Sequence, residues 1–313
     1  MLKNRRDFLK KGSLFAGALL IPQPWALFSN TPAFDLLTPA SEGNFRFFHS
    51  SDLNGQLSAD TNGYGGLEAI SRSIKDEIVA SLLLDSGDFL SGRQDLQRDV
   101  TFIKNMGNAG YTCANLGVNE LKTGEAYLAS LLPHFSFSLL NCNYSFSDEA
   151  IRHKVKRSLI LEWKGKRIGI TGVGPKIEGI VWNDPYAAAN EMAENLKQKE
   201  GVDLVLCLSH LEGHRQNAVY NNAGLAERSA LIDFIIGGHS EKYVLGNRCL
   251  KNSVGKDVIL CQGGPGGSLV GSLDISLDES RNVLISNTRQ IIPGLKDPSQ
   301  LARVVHQLNT RLA

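Results

Sequence analysis

Residues 82–92 read LLLDSGDFLSG, an apolar run of leucines ending in two carboxylates, Asp85 and Asp88, with Ser86 and Gly87 between them. An unbroken apolar run marks a strand buried on both faces of a parallel sheet. Its carboxyl end delivers Asp88 to the crevice where open α/β sheets hold their ligands. A carboxylate placed there can bridge two metal ions, because each oxygen can face a different cation. Taken alone, the stretch is accounted for by a strand closing in an Asp- and Gly-containing turn. Matching fragments elsewhere in the chain give it a second meaning.

Working outward, residues 44–50 (NFRFFHS) alternate as a first strand and run into Ser51-Asp52-Leu53-Asn54-Gly55. Residues 67–79 place Ala69, Ile70, Ile74 and Ile78 on one helical face. Helices are predicted over 99–108 and 124–132, and strands over 113–117 and 135–141. Residues 159–163 and 167–173 form a hairpin pattern across Lys164-Gly165-Lys166. Asn183-Asp184-Pro185 opens a helix extending to about Lys199. Apolar β runs at 202–209 and 232–236 end at His210 and at Gly237-Gly238-His239. Strands at 258–262, 269–277 and 283–290 follow without a long helix between them, and 298–312 reads as a closing helix. Helix-separated strands first and contiguous strands last predict an α/β sandwich of two mixed sheets flanked by helices.

The amino terminus has a different character. Arg5 and Arg6, followed by Phe8, Leu9 and Lys10, form a twin-arginine export signature. Residues 12–21 are apolar but too few to span a bilayer as a mature helix, and Thr31-Pro32-Ala33 offers a cleavage site. Residues 1–33 are therefore read as a signal region and 44–313 as a single domain, periplasmic or otherwise exported and without a stable membrane span after processing. Of 33 basic and 32 acidic residues, the leader takes five and one, leaving 28 and 31 and a formal charge of −3. That balance argues against a nucleic acid polymer or an acidic membrane surface as partner. The five cysteines include no CxxC pair, so no structural zinc site is suggested, and Cys207 and Cys261 lie in apolar runs as buried thiols.

Five fragments follow apolar strands and end in Asp, Asn, His or Glu: HSSDLNG, LLLDSGD, ANLGVNEL, CLSHLEGH and IIGGHSE. Oxygen and imidazole donors at strand ends are the usual cage for divalent metals in hydrolases. In order and spacing these fragments resemble the 5'-nucleotidase branch of the calcineurin-like metallophosphoesterases. That family reads Asn-Asp-x-His-Gly, Asp-x-Gly-Asp, Gly-Asn-His-Glu-Phe-Asp, Ser-His-Leu-Gly and Gly-Gly-His-Thr-His. The resemblance covers about residues 45–275 and implies a four-layer αββα sandwich. It implies one metal at Asp52, Asn54, Asp88 and Glu241, where the family has Asp, His, the bridging Asp and the last His. It implies a second at Asp88, Val118, His210 and His239, where the family has Asp, Asn, His and His. Asn119 and Lys122 occupy the positions of the catalytic His and of the Asp three residues on.

Against that pattern the site is partly dismantled. Asn54 and Glu241 replace imidazoles but still offer oxygen, whereas Val118 offers no ligand. Asn119 cannot supply a proton near neutral pH, and Lys122 replaces its carboxylate partner. Asp52, Asn54, Asp88 and Glu241 form an all-oxygen set suited to magnesium, calcium or manganese. Asp88, His210 and His239 form a composition found in zinc and iron centres. Glu212 and His214 read as loop residues beside His210 that would at most stand in for a lost ligand. His49 reads as a packed, hydrogen-bonded histidine of the first strand. The expected cofactor is one or two divalent ions (Mn, Mg, Ca or Zn), or none.

The expected function is an exported, 5'-nucleotidase-like phosphohydrolase, acting on a small phosphorylated substrate, with a degraded dinuclear site and weak or absent activity. The alternative is a binding or partner subunit that keeps the fold without the chemistry, and a third reading is a binder of phosphate or nucleotide without cleavage. No C-terminal substrate domain of the kind that stacks a nucleoside base is expected here, so a separate nucleotide-binding chain or another exported protein is a candidate partner.

Overall fold

The computed structural model describes residues 36–37, 45–78, 81–163, 165–212, 218–239, 242–277 and 283–312. The twin-arginine region, His214 and Glu241 lie outside the described residues. The first half of the chain alternates strand and helix. It runs β1 (Leu36–Leu37), β2 (Phe45–Ser50), α1 (Leu67–Ile74), β3 (Ser81–Asp85), α2 (Leu96–Asn108), β4 (Cys113–Asn115), α3 (Val118–Leu121), α4 (Glu125–Leu131) and β5 (Ser138–Leu140). Short elements follow: β6 (Tyr144–Ser145), α5 (Glu149–Lys154) and β7 (Val155–Lys156). The second half comprises β8 (Ser158–Trp163), β9 (Lys166–Val173), β10 (Val181–Trp182), α6 (Pro185–Glu194), β11 (Leu204–Ser209), α7 (Asn222–Arg228) and β12 (Phe234–Gly237). It closes with β13 (Arg248–Lys251), β14 (Asp257–Gln262), β15 (Val270–Leu277), β16 (Val283–Ile291) and α8 (Leu301–Leu312).

Two seven-stranded mixed sheets result, in the orders β16-β15-β2-β3-β4-β5-β7 and β1-β8-β9-β11-β12-β14-β13. In the first, β2, β3, β4, β5 and β7 run parallel and the carboxy-terminal hairpin β15–β16 adds antiparallel. In the second, β9, β11, β12 and β14 run parallel, with antiparallel neighbours β8 and β13. Strand alternation decides the layers. Phe47, Leu82 and Leu84 point inward to meet Leu206, Phe234 and Ile259 of the other sheet. Phe47 and Phe234 pack edge to face with centroids 5.7 Å apart, a geometry that adds roughly 0.5–1.5 kcal/mol beyond the area buried.

Phe48 and Leu83, one residue out of phase, point the other way and carry α1, α2, α4 and α5. Val205, Cys207 and Ile235 do the same for α6 and α7 on the second sheet. The four layers αββα follow directly. Cys207 and Cys261 are buried thiols, both pushed above the usual thiol range by burial.

Local differences from the sequence reading have local causes. The first helix ends at Ile74 rather than near 79, and Ile78 lies beyond it, partly buried against the outer core. The helix opened by Asp184, whose side chain accepts from Tyr186 and Ala187 N–H groups, reaches Lys199 only by widening into a π turn over Asn195–Lys199. β13 carries no apolar alternation. As an edge strand it is held by its backbone ladder to β14. Among the described residues no helix is long and apolar enough to cross a membrane.

Candidate metal centre

The parallel strands of both sheets end along one edge of the sandwich. Asp52 follows β2, Asp88 follows β3, Asn119 lies in α3 after β4, His210 follows β11 and His239 follows β12. Backbone bonds stitch the loops together: Asp52 N–H donates to Gly87 O at 3.0 Å and Asn54 N–H to Asp88 O at 2.9 Å. Among the described residues five non-glycine residues have positive φ, and Asp52, Asn54, Asp88 and His239 are four of them, at 52–56°. Asp, Asn and His tolerate this left-handed region better than other side chains. Strain of this kind costs on the order of 1–3 kcal/mol per residue and collects at functional sites.

Asp88, His210 and His239 each present a donor atom within 4.8 Å of the others. His210 Nε2 lies 3.3 Å from Asp88 Oδ2 and 3.9 Å from Asp52 Oδ1. Tetrahedral coordination with arms of about 2.0–2.1 Å separates two donors by about 3.3 Å, so the His210–Asp88 pair already has the spacing of a metal edge. The two imidazoles sit 5.0 Å apart, nearly perpendicular. Gly87, at φ +113°, makes room for this: a Cβ there would come within 2.8 Å of His210 Nδ1.

Several buried atoms here make no hydrogen bond among the described residues: His210 Nε2, His239 Nδ1 and Asp52 Oδ2. Orphaned buried polar atoms require an explanation, and electrostatics supplies one. Burial works against the His210 imidazolium, but Asp88, Asp52 and Glu120 outweigh it and hold its pKa up to about 10. Burial pushes the Asp52 carboxyl above its ordinary range. Burial also opposes ionised Asp88, yet His210 and the Asn119 amide hold that carboxyl below it. Among the described residues Asp52, Asp88 and Glu120 crowd around the two imidazoles of His210 and His239. A divalent ion fits both the clustered carboxyl groups and the unfilled donor atoms.

Asp88 is held from behind. The fully buried Glu120 accepts the N–H groups of Asp88, Leu90 and Gly117 at 3.0, 2.8 and 2.8 Å. Asp88 Oδ1 accepts the Asn119 N–H at 2.7 Å, leaving Oδ2 toward His210.

The substituted positions form a unit of their own. Lys122 Nζ donates to Asn119 Oδ1 at 2.7 Å, Asn119 Nδ2 to Asn54 Oδ1 at 2.9 Å, and Asn54 Nδ2 to the Asp52 carbonyl at 2.8 Å. The ammonium can only donate, so it fixes the orientation of both amides in turn. Gly92, at φ +64°, lies over this ladder, and a Cβ there would run into Lys122 Cε and come within 2.8 Å of Asn119 Oδ1.

Other residues singled out in the sequence fare differently. Val118, the first residue of α3, packs at the edge of the outer core, contributing contact but no ligand. His49 corrects the expectation of a hydrogen-bonded ring: it is buried and neither nitrogen has a partner among the described residues. Its ring lies in the space left by Gly271, and burial lowers its pKa to about 4. Glu212, expected to be a plain loop residue, reaches the centre, with Oε1 3.4 Å from His239 Nε2. Sequence reasoning passed over Glu120, although its place directly after the substituted Val118-Asn119 pair was an available signal.

No protein-family model matches the chain. The 5'-nucleotidase of Vibrio cholerae is 27% identical over 224 residues, covering 63% of this chain and 40% of that protein. NAD nucleotidase (NadN) of Haemophilus influenzae is similar in structure, with a TM-score of 0.70 at 20% identity over 80% of this chain and 50% of that one. The calcineurin-like phosphoesterase YfkN of Bacillus subtilis gives a TM-score of 0.60 at 18% identity, covering 86% of this chain and 98% of that one. The chain spans less than half the length of the curated relatives it matches. The fold is that of the calcineurin-like phosphoesterases, and the converging donors lie at its strand ends. Over roughly two thirds of its length the chain is similar in sequence to proteins of the 5'-nucleotidase branch of that superfamily.

Proposed function

We propose that this protein is an exported, nucleotidase-like metallophosphoesterase whose centre takes one divalent ion and hydrolyses phosphate monoesters weakly or not at all. The observation that carries the proposal is the ladder Lys122–Asn119–Asn54–Asp52. Asn54 Oδ1 accepts a hydrogen bond where a second ion would need a ligand. The amide of Asn119 is locked by Lys122 at the position of the family imidazole. Asp88, His210 and His239 remain, with Asp52 Oδ2 beside them, and two imidazoles with a carboxylate favour zinc or a similar transition ion over magnesium or calcium.

When bound, that ion supplies Lewis-acid charge to a phosphoryl oxygen. The rest of the chemistry depends on protein groups. Asp88 and His210 hold the ligand geometry, Glu120 holds the Asp88 loop, and the Lys122 ammonium leaves a fixed positive charge at the rim. The Asn119 amide, at the position of the family imidazole, cannot act as a general acid, which removes the roughly 10²–10⁴-fold that such catalysis contributes. The test is hydrolysis of adenosine monophosphate and an aryl phosphate by zinc- or manganese-loaded protein. Turnover barely above the metal blank is expected. Turnover at ordinary enzymatic rates, on the order of 1–10³ s⁻¹, would overturn the proposal.

A further inference from the structure

The two imidazoles of the centre divide their nitrogens in the same way. His210 Nδ1 lies 3.1 Å from the Ser86 carbonyl, while its buried Nε2 makes no hydrogen bond among the described residues and lies 3.3 Å from Asp88 Oδ2. His239 Nε2 lies 3.4 Å from Glu212 Oε1, while its buried Nδ1 makes no hydrogen bond among the described residues. A metal-ligating histidine usually gives its second ring N–H to a carbonyl or carboxylate, which fixes the tautomer and raises the basicity of the ligating nitrogen. Ser86 has that position behind His210. Glu212 has it behind His239.

Glu212 is itself held in place. Its carbonyl accepts the Asn222 N–H at 3.2 Å, and Asn222 Nδ2 donates to the Leu211 and Gly238 carbonyls at 3.0 and 3.3 Å. Buried Asn222 therefore staples the loop carrying Glu212 to the loop carrying His239. The converging donor group comprises Asp88, His210 and His239 and does not include the Glu212 carboxylate, which places Glu212 behind a ligand rather than among the ligands.

Resting on the single-ion centre proposed above, we infer that Glu212 is a positioning residue. It holds His239 as the Nε2–H tautomer and presents Nδ1 to the ion, whereas His210 ligates through Nε2. The two histidines thus bind through different ring atoms, and Glu212 supplies the outer carboxylate for one of them. Glu212→Gln keeps an acceptor oxygen for the Nε2–H and should retain most of the affinity for zinc. Glu212→Leu removes it and should weaken zinc binding about 10–100-fold, the usual cost of losing such a partner.

The experiment is zinc titration of the parent and both variants, with nitrogen-15 spectra of the histidine rings in the zinc-loaded proteins. Expected are an Nε2–H signal for His239 and an Nδ1–H signal for His210 in the parent, and selective loss of order at His239 in Glu212→Leu. The metal-free variants should melt with the parent, which separates this role from a structural one. Equal zinc affinity in the parent and Glu212→Leu would overturn the assignment while leaving the metal centre intact. Equal losses in Glu212→Gln and Glu212→Leu would overturn it in favour of direct ligation. A parent that takes up no zinc would overturn the metal centre and this inference with it.

Discussion

Asn119 has two hydrogen-bonding ends, and both are used. Lys122 takes its oxygen and Asn54 takes its amide hydrogen. A side chain so engaged cannot swing toward a leaving group, whatever substrate reaches the metal. Asp88 is the opposite case, with one oxygen tied to the Asn119 backbone and the other left for the ion. Asp88→Ala should abolish metal binding, measured by calorimetric titration, and binding like the parent would contradict the assignment. His49 gives a prediction independent of metal. Its pKa falls from the ordinary histidine value to about 4 because burial disfavours the charged ring. A folded-state pKa below the unfolded one means that the unfolded chain binds the extra proton. The contribution is therefore complete above about pH 6.5 and is lost as pH falls toward 4. At pH 5 the loss is about 2 kcal/mol. The urea midpoint of the parent should fall relative to that of His49→Leu on acidification from pH 7 to pH 5, and midpoints that move in parallel would contradict the burial argument.

At the scale of elements, the strand ends were legible because each is announced by an apolar run before a polar residue. The Leu82–Leu84 run marks β3, residues 204–208 mark β11 and residues 234–236 mark β12. The ladder was not legible. Asn54, Asn119 and Lys122 are far apart or on different turns, and only parallel pairing of β2, β3 and β4 brings their loops together. Glu212 was illegible for the same reason, since its partner His239 follows β12, the strand paired with β11 in the same sheet but 27 residues on. β13 escaped because an edge strand can be held by its backbone alone.

Two predictions belong to this scale. Gly92→Ala should push Lys122 off Asn119 and loosen the α3 amides, seen as faster hydrogen exchange there without global unfolding. Unchanged exchange would mean that the loop over the ladder yields easily. Restoring the family residues together (Val118→Asn, Asn119→His, Lys122→Asp, Asn54→His and Glu241→His) should raise phosphatase turnover about 10²-fold or more. Each single change should do little, because groups acting as a unit are strongly non-additive. A large gain from one change alone would contradict the view of the ladder as one device.

The whole molecule is two sheets that share a site along one edge, so anything binding there ties the sheets together. Asp52 and Asp88 come from the first sheet, and His210 and His239 from the second. An ion held at 100 times its Kd stabilises the native state by about 2.7 kcal/mol. Chelation should therefore lower the Tm by about 5 °C for a domain of this size. An unchanged Tm would place the ion off the inter-sheet edge. The proposed export is tested on the whole chain as well: replacing Arg5 and Arg6 with lysine should leave the protein in the cytoplasm. The measurement that bears most directly on the central proposal is the number of metal ions per chain in protein purified without chelator and dialysed against zinc. One ion per chain, lost in Asp88→Ala and retained in Asn54→Ala, is the predicted result. Two ions per parent chain, with loss of one in Asn54→Ala, would show that Asn54 serves as a ligand and that the ladder gives way to an intact dinuclear site.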